Sequence, residues 1–376
     1  MTVSKEQVLG ALAKVASPGG TSLPEARVLS DVVVTDGKVF FSITVDAAAV
    51  KLWEPVRKQA EEAVRAIPGV QSVLVALTAE RAASTATRAP APGARAQRPA
   101  HPADNVPAGI PGVDAVIAVA SGKGGVGKST TAVNLALGLR DLGLKVGMLD
   151  ADIYGPSLPK LLAIREKPQT IGGTRLRPIS RYGMSVMSIG FLIDEETPMI
   201  WRGPMVMSAI TQMLREVEWG KLDVMVVDMP PGTGDAQLTM AQQVPLKGAV
   251  IVSTPQDLAL IDARRGIAMF KRVNVPVLGL VENMSYFLCP SCGERSDIFG
   301  HGGAHKEAER LGVPFLGEVP LHMTIREKSD SGLPVVATEP DGEHARIYRE
   351  IAAKVHDQLV SGAGAARKAP KIVIEA

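Results

Sequence analysis

Cysteine is almost absent from this 376-residue sequence, which contains two, Cys289 and Cys292. Two cysteines cannot form a disulfide framework. A Cys-x-x-Cys pair in an otherwise cysteine-free chain favours a reducing compartment and metal or redox chemistry. Aromatic residues are also scarce, at 4% of the chain, so the core must consist mainly of aliphatic side chains.

The sequence also lacks an excess of charge of one sign, and it lacks long apolar runs. The formal net charge is +2, which gives no electrostatic case for a large nucleic-acid or membrane surface. No uninterrupted apolar run approaches the roughly 18 residues of a membrane-spanning helix. The N-terminal residues lack the basic-then-apolar order of a signal peptide. We therefore expect a cytoplasmic protein that binds neither nucleic acid nor membrane.

Residues 1–80 have the pattern of a small α+β domain. Helical spacing in Ser4–Val15 is followed by alternation on both sides of Asp36-Gly37, which is a strong hairpin signal, and then by a second helix and a short strand. The predicted order is α-β-β-α-β. Residues 81–109 are rich in Ala, Pro and Arg without apolar periodicity, which predicts a flexible, solvated linker. Contact of its arginines with RNA or an acidic partner is the less favoured interpretation.

Residues 110–362 change to an α/β pattern, in which continuous apolar runs alternate with helical stretches. Such runs are typical of strands buried on both faces of a mainly parallel sheet, whose functional residues lie at the carboxyl ends of the strands. Residues 363–376 are expected to form a loose tail. The five runs are 113–121, 144–150, 222–230, 248–255 and 275–283.

The first run leads into a glycine-rich turn that matches the phosphate-loop pattern G-x-x-x-x-G-K-[ST]. Backbone N–H groups of such a loop surround phosphate oxygens, and the following helix adds its positive dipole end. We expect Lys128 to reach the β- and γ-phosphates of ATP and Ser129 to ligate Mg²⁺. A chance glycine-rich turn is the alternative, which the strand–helix context disfavours. The residues expected to line the nucleotide are Gly122, Lys123, Gly124, Gly125, Val126, Gly127, Lys128, Ser129 and Thr130.

Lys123 is an additional lysine inside this loop. Taken alone it is explained by a solvated charge. The run Lys123–Thr130, however, resembles the deviant Walker A loop of the MinD/ParA/nitrogenase-iron-protein class of P-loop ATPases, the SIMIBI class. The resemblance implies an α/β P-loop NTPase domain with a mainly parallel sheet. It also implies that Lys123 acts catalytically on the partner's nucleotide, so that ATP drives formation of a homodimer.

Acidic residues follow two of the buried runs. Asp150 and Asp152 end the second run, where carboxylates can hold Mg²⁺-bound waters and orient the attacking water. The resemblance makes them the switch I acids without deciding which one orients water, and capping of the next turn is the alternative for either. Asp228 ends the third run and fits a Walker B acid that acts on Mg²⁺ through water. The Pro/Gly-rich segment after Asp228 is able to move when the γ-phosphate leaves. Asp235 follows this segment and is either a switch residue or a turn residue.

Asn283 ends the fifth run, again at the carboxyl end of a predicted strand. In the related ATPases an asparagine at this place binds adenine, and the resemblance carries that role to Asn283. The alternative is a side chain that satisfies the hydrogen bonds of its own turn.

Three interpretations remain for the cysteine pair. A thioredoxin-like redox pair normally begins a helix after a strand, whereas this pair has a loop setting. An intrachain zinc site needs two more ligands, for which His301 and His305 are the nearest candidates. A C₂ dimer would bring two Cys-x-x-Cys pairs together and supply the four thiolates of a [4Fe–4S] cluster. The dimer expected from Lys123 favours the third interpretation.

Several motifs together resemble the Mrp/ApbC family of iron–sulfur cluster carriers, over about residues 110–355. They are GKGGVGKST, DADIYGPS, WRGP, VVDMPPGTGD, STPQDLAL, VENMSYFLCPSCG and IREKSDSGLPVV. The first 80 residues resemble the MIP18/DUF59 domain that often precedes such carriers. Some relatives of that domain carry a reactive cysteine, and this one has none, which puts a metal-binding role for it in doubt.

The resemblance implies an ATPase that uses ATP and Mg²⁺, assembles a [4Fe–4S] cluster at a homodimer interface and transfers it to apo iron–sulfur proteins. The main alternative is a MinD/ParA-like positioning ATPase without a cluster. Such an ATPase needs an amphipathic membrane-binding tail or a basic DNA-binding face, and the sequence displays neither. A nucleotide-dependent reductase, a third option, would need further cysteines for a permanent low-potential centre.

Overall fold

The computed structural model describes residues 3–26, 28–30, 32–35, 37–46, 49–70, 72–80, 109–172, 175–193 and 203–361. The predicted linker, apart from its last residue, lies outside these ranges, and so does the predicted tail. The same holds for Trp201 and Arg202 of the WRGP motif and for Asp36 of the predicted hairpin turn.

The chain forms two compact units, one of Met1–Val106 with Thr197–Thr211 and the other of Pro107–Glu196 with Gln212–Ala376. The first unit contains the predicted α-β-β-α-β order. Its elements are α1 (Lys5–Leu12), β1 (Val33–Thr35), β2 (Lys38–Asp46), α2 (Val50–Arg65) and β3 (Ser72–Glu80).

Local signals explain how the first unit folds. A capping box begins α1, since Ser4 Oγ accepts from the Gln7 N–H at 3.3 Å and Gln7 Oε1 accepts from the Ser4 N–H at 3.0 Å. Strand β2 pairs antiparallel with β1 and parallel with β3. The buried core of this unit is aliphatic apart from Phe41, and Trp53 packs against it partly buried, which agrees with the shortage of aromatic residues.

The second unit is built on a large sheet and a small two-stranded ribbon, β6–β7. Its strands are β4 (Val113–Ala120), β5 (Val146–Asp150), β6 (Thr170–Ile171), β7 (Arg175–Leu176), β8 (Ile179–Arg181), β9 (Met184–Ser188), β10 (Leu222–Asp228), β11 (Gly248–Ser253), β12 (Val277–Leu288), β13 (Arg295–Ser296) and β14 (Phe315–Leu321). The helices that follow β3 along the chain, of which α5 belongs mostly to the first unit, are α3 (Lys128–Asp141), α4 (Leu158–Leu161), α5 (Gly203–Arg215), α6 (Asp235–Gln243), α7 (Asp257–Arg272), α8 (Gly303–Leu311), α9 (Met323–Asp330), α10 (Val335–Thr338) and α11 (Glu343–Val360).

The large sheet has nine strands in the order β13-β12-β11-β4-β10-β5-β9-β8, with β14 also paired to β12. Every pair is parallel except β12–β13 and β8–β9 at the two ends. The five predicted runs form its centre as β4, β5, β10, β11 and β12, so the predicted α/β P-loop architecture is confirmed. Strand β12 is longer than its predicted run, which ended at Asn283, and continues to Leu288.

The central strands of this sheet are buried, and their carboxyl ends form its functional edge. Strands β5 and β11 are buried throughout, as expected for strands covered on both faces. Helix α3 packs against β4, β5, β10 and β11, and α11 packs against α3. The carboxyl ends of β4, β5, β10 and β12 therefore meet at one edge, where the predicted site residues lie. Among the residues described, no helix combines the length and apolarity needed to cross a membrane.

Candidate functional site

The phosphate loop connects β4 to α3 through Ser121–Gly127. Gly125 and Gly127 have φ angles of 81° and 76°, in the left-handed region that other residues rarely adopt. Ser121 Oγ donates to the carbonyl oxygen of Lys123 at 2.9 Å, which orders the first half of the loop. Helix α3 begins at Lys128, as predicted, so its free N–H groups face the same loop.

Contact with α7 restricts the start of the loop. A Cβ atom on Gly122 would lie 2.3 Å from the carbonyl carbon of Asp262, so only glycine fits. Lys123, the next residue, is half-buried and forms no ion pair with any residue that the structure describes. Its action on a partner's nucleotide stays a prediction.

Lys128 forms a buried ion pair with Asp228 at the end of β10. Its Nζ donates to Asp228 Oδ1 and also to Ser129 Oγ at 3.1 Å. The lysine side chain is 6% exposed and the aspartate is fully buried. A buried ammonium needs a counter-charge, and Asp228 supplies it. The structure thus brings the predicted Walker A lysine and Walker B acid together.

Asp228 retains an open acceptor beside this pair. Its Oδ2 atom is buried and has no hydrogen-bond partner within the described part of the chain. An unpaired buried carboxylate oxygen is costly unless something donates to it or binds it. Oxygen atoms of a carboxylate, a hydroxyl and waters are the ligand set that Mg²⁺ prefers. Ser129 Oγ and Asp228 Oδ2 therefore fit a magnesium site.

The two acids that follow β5 differ in their surroundings. Both oxygens of the fully buried Asp150 are occupied: Oδ1 accepts from the Asp152 N–H at 3.1 Å, and Oδ2 accepts from the Ser157 and Leu158 N–H groups and from Ser188 Oγ, at 2.9–3.1 Å. Burial, together with the nearby charge of Asp228, raises the pKa of Asp150 to about 7. Asp150 thus holds the segment after β5 in place.

Asp152 is half-buried beside the Lys128–Asp228 pair. Burial raises its pKa, and the charge of Lys128 opposes that rise. Since this acid is more accessible than Asp150 and senses the charges of the phosphate site, it is the better placed of the two to meet a water molecule. The side chain of Asp235, at the start of α6, lies outside the description, so its role stays a prediction.

Asn283 contacts the phosphate loop. Its Nδ2 donates to the carbonyl oxygen of Val126 at 2.8 Å, and the side chain is 6% exposed. This bond spans 157 residues of sequence, so the amide group serves more than its own turn. The predicted contact with adenine is not tested by this geometry and stays a prediction.

Both cysteines lie at the tip of a hairpin, which we call the cysteine hairpin (Phe287–Ser296). Strands β12 and β13 form its sides, through the pairs Phe287↔Ser296 and Leu288↔Arg295. At the tip, the Cys289 N–H donates to the Glu294 carbonyl at 2.9 Å and the Gly293 N–H donates to the Cys289 carbonyl at 2.8 Å.

Both thiols at this tip are free. Cys289 is half-buried and Cys292 is exposed. The backbone N–H groups of Cys292 and Ser291 lower the pKa of the Cys289 thiol, which favours the thiolate that binds metal.

Ligands for an intrachain zinc site do not gather around this tip. Of the described residues, the cysteines belong to no cluster of three potential ligands. His305 makes an edge-to-face contact with Phe315, with ring centroids 4.8 Å apart, and His301 accepts from Arg295 at 2.8 Å. The hairpin setting also lacks the helix start that a thioredoxin-like pair uses. The tip thus offers two free thiols, and a site completed by a second chain stays a prediction.

One set of potential ligands does exist, near the base of the hairpin. Ligand atoms of Glu282, His301 and Glu318 lie within 4.8 Å of one another. Glu282 already accepts three hydrogen bonds, however, and Arg295 Nη2 occupies the ring nitrogens of His301. Sequence reasoning missed Glu282, although a glutamate inside an otherwise apolar strand was the available signal.

Two family profiles match the chain. The profile described as "NUBPL iron-transfer P-loop NTPase" matches residues 112–356, and the profile described as "Iron-sulfur cluster assembly protein" matches residues 5–75. The first of these covers more than half of the chain and includes every predicted nucleotide and metal residue.

Curated relatives match over the same region or more. The iron-sulfur cluster transfer protein NUBPL of Dictyostelium discoideum is 56% identical over 252 residues, covering 66% of this chain and 78% of that protein. The iron-sulfur cluster carrier protein of Escherichia coli K12 is 55% identical over 252 residues, covering 67% and 68%. The iron-sulfur cluster carrier protein of Synechocystis is 44% identical over 346 residues, covering 89% and 92%.

Solved structures share the fold of the second unit. A nucleotide-binding protein from Archaeoglobus fulgidus, in complex with ADP, has a TM-score of 0.54 and 40% identity, covering 62% of this chain and 91% of that one. The cell division ATPase MinD of Pyrococcus furiosus has a TM-score of 0.50 and 22% identity, covering 65% and 99%, and shows the fold alone. The resemblance drawn from the sequence is confirmed, and the chain belongs to the NUBPL iron-transfer P-loop NTPase family.

Proposed function

We propose that this chain is an ATP-hydrolysing carrier that assembles a [4Fe–4S] cluster between two copies of itself and transfers it to apo iron–sulfur proteins. The observation that carries the proposal is the cysteine hairpin. It presents two free thiols, gathers no further metal ligands from the residues that the structure describes, and continues the strand that contacts the phosphate loop. Membership in the family favours this role over that of a MinD/ParA-like positioning ATPase.

The nucleotide chemistry follows from the pairing at the phosphate loop. ATP binding gives Lys128 a new counter-charge, so its ammonium turns from Asp228 to the β- and γ-phosphates. Asp228 and the Ser129 hydroxyl would then be the residues that hold magnesium. Magnesium, when bound, neutralises charge on the phosphates. Lys123 completes the site of the partner copy.

Asp152 is the acid we assign to the attacking water. Its carboxylate is accessible, whereas that of Asp150 is saturated by four donors. Asp150 is a positioning residue that fixes the backbone from which Asp152 projects. Phosphoryl transfer depends mainly on such positioning and on neutralised charge, so the arrangement supplies what hydrolysis requires.

The cluster is the cargo of this reaction. Cys289 and Cys292 of each copy supply two thiolates, and two copies supply the four that a cubane cluster takes. Residues 1–80, which contain no cysteine, we propose as a separate domain, joined by the linker 81–109 to the ATPase domain 110–362. The match to cluster-assembly proteins over 5–75 supports a part in assembly for that domain.

Anaerobic reconstitution with iron and sulfide tests the proposal. We expect about four iron atoms per two chains, a sedimentation coefficient that rises on addition of ATP, and activation of an apo-protein that requires a [4Fe–4S] cluster. Lys123→Ala should bind ATP but not dimerise with it. One zinc ion per chain with no iron–sulfur absorbance would overturn the proposal.

A further inference from the structure

Four residues of β12, which we call the β12 junction (Glu282–Ser285), connect the two halves of the site. Asn283 Nδ2 contacts the phosphate loop at the Val126 carbonyl, 2.8 Å away. The preceding residue, Glu282, is fully buried and binds a different part of the chain. Adjacent residues of a strand point to opposite faces, so one junction reaches both the nucleotide loop and the segment that closes the cysteine hairpin.

Glu282 anchors that closing segment. Its Oε1 atom accepts from Ser285 Oγ at 2.6 Å and from the Gly302 N–H at 3.2 Å, and its Oε2 atom accepts from the Ala304 N–H at 2.7 Å. Gly302 and Ala304 lie at the start of α8, directly after the hairpin. Charge-assisted hydrogen bonds to a buried carboxylate are among the strong ones, because the carboxylate has no water to replace them.

The backbone of the junction departs from a regular strand at Met284. This residue has a φ of 55°, in the left-handed region that a non-glycine residue occupies only with strain. The register of β12 against β14 shifts between Asn283 and Phe287. Such a break re-aims a strand, and the surrounding contacts must hold it in place.

The far side of the hairpin is held to the same place. Arg295 of β13 lies over the Tyr286 ring at 4.3 Å and donates to His301 Nδ1 at 2.8 Å. Ser285 Oγ, already bonded to Glu282, is 3.4 Å from the same His301 nitrogen. The start of α8 therefore bonds to Glu282 directly, and the β13 side of the hairpin is linked to it through His301 and Ser285.

We propose that Glu282 is a positioning residue that transmits the nucleotide state of the phosphate loop to the cysteine hairpin. When the loop closes on phosphate, the Val126 carbonyl carries Asn283 with it. The break at Met284 lets the junction pivot. Movement of Glu282 then shifts the start of α8 and the hairpin, because the three groups that donate to its carboxylate move with it. The inference rests on the proposed function and names the regulation of the same site.

Hydrogen exchange of the full-length, cluster-free chain tests the coupling. We expect ATP with Mg²⁺ to change exchange of the hairpin amides, residues 287–296, by about threefold or more in the wild-type chain. Glu282→Gln should abolish that change while ATP affinity stays within about twofold, since glutamine keeps the volume but presents a donor toward Ala304. Ser285→Ala should reduce the change in exchange, and this variant provides the test if Glu282→Gln fails to fold.

Glu318→Gln is the matched control: the Glu318 carboxylate also lies near His301, but among the described residues it accepts no hydrogen bond from the junction or from α8, and the backbone pairing of Glu318 with Glu282 is unaffected by the change. It should keep the wild-type response. Three outcomes would each overturn the inference. The wild-type chain could show no response, Glu318→Gln could lose the response, or both junction variants could keep it at the wild-type level.

Cluster release separates this inference from the proposed function. With reconstituted chains, the ratio of release rates to a chelator with and without ATP should differ from one in the wild type and approach one in Glu282→Gln, at equal iron content. A chain that binds no cluster, yet shows the Glu282-dependent exchange response, would contradict the carrier function and support the coupling.

Discussion

Gly127 and Asn283 approach so closely that a Cβ atom on Gly127 would lie 2.1 Å from Nδ2 of Asn283. The phosphate loop and β12 are therefore fitted to each other at a point where no side chain can be added. The two residues are far apart in sequence, and the Val126 carbonyl between them carries the hydrogen bond that fixes the distance.

Gly127→Ala should destabilise the nucleotide-free chain by about 2 kcal/mol or more, since it combines a left-handed backbone with this collision. Gly124→Ala is the control, because its Cβ would meet no atom within 4 Å and its φ is ordinary. Denaturant unfolding measures both. Equal midpoints for the two variants would show that the close approach has no energetic weight.

Lys128→Ala should abolish ATP binding and also lower stability by about 3–5 kcal/mol, because it leaves the buried Asp228 without a counter-charge. Lys128→Ala with Asp228→Asn should recover most of the stability but none of the binding. Fluorescent-nucleotide titration and denaturant unfolding give the two quantities. A double variant no more stable than the single one would argue against the buried pair.

The raised pKa of Asp150 should make the stability of the chain depend on pH. Its pKa in the folded chain is about 7, against an ordinary value of 3.8, so the folded state holds a proton that the unfolded state has lost. The resulting stabilisation is complete below pH 3.8 and disappears as the pH rises through about 7. Unfolding free energies of the nucleotide-free chain should fall over that window, and Asp150→Asn should flatten the slope. An unchanged slope in that variant would assign the pH dependence to other groups.

Asp152→Asn should lower ATP hydrolysis by about 100-fold or more with ATP affinity nearly unchanged, as expected for loss of a group that orients water. Asp150→Asn should act on stability more than on affinity. Single-turnover hydrolysis at saturating ATP distinguishes these effects. Full hydrolysis in Asp152→Asn would return the role to Asp150.

Cys289→Ser and Cys292→Ser should each abolish iron–sulfur absorbance after reconstitution, since either change removes two of four thiolates from a pair of chains. ATP affinity should stay unchanged in both. His305→Ala is the control, because this ring packs on Phe315 and should leave the cluster intact. Loss of metal in His305→Ala would restore the intrachain zinc interpretation.

Sequence reasoning predicted the elements whose signals are local or continuous. The central strands have unbroken apolar runs because both faces are covered, and the phosphate loop has its glycines in a fixed pattern. Strand β14 was not predicted, since Glu318 and Pro320 interrupt its apolar character. The last part of β12 was missed because residues Ser285–Leu288 follow a left-handed Met284 and are mostly half-buried, so they do not continue the apolar run.

Long-range pairing explains the rest of the difference. The Lys128–Asp228 pair spans 100 residues and the Asn283–Val126 bond spans 157, and no spacing rule connects such positions. The unequal surroundings of Asp150 and Asp152 depend on Ser188, a residue of another strand. The sequence therefore predicts which residues belong to the site. The hydrogen-bond or ion-pair partner of each residue depends on the order of strands in the sheet, which the sequence pattern does not reveal.

Because the tip of the cysteine hairpin offers two thiols, occupancy by the proposed four-thiolate cluster would depend on how many chains are present. Loading would be second order in protein, whereas nucleotide binding to the loop of one chain would be first order. Dilution alone would thus favour unloading at constant ATP, and a cell could set the loaded fraction through expression level.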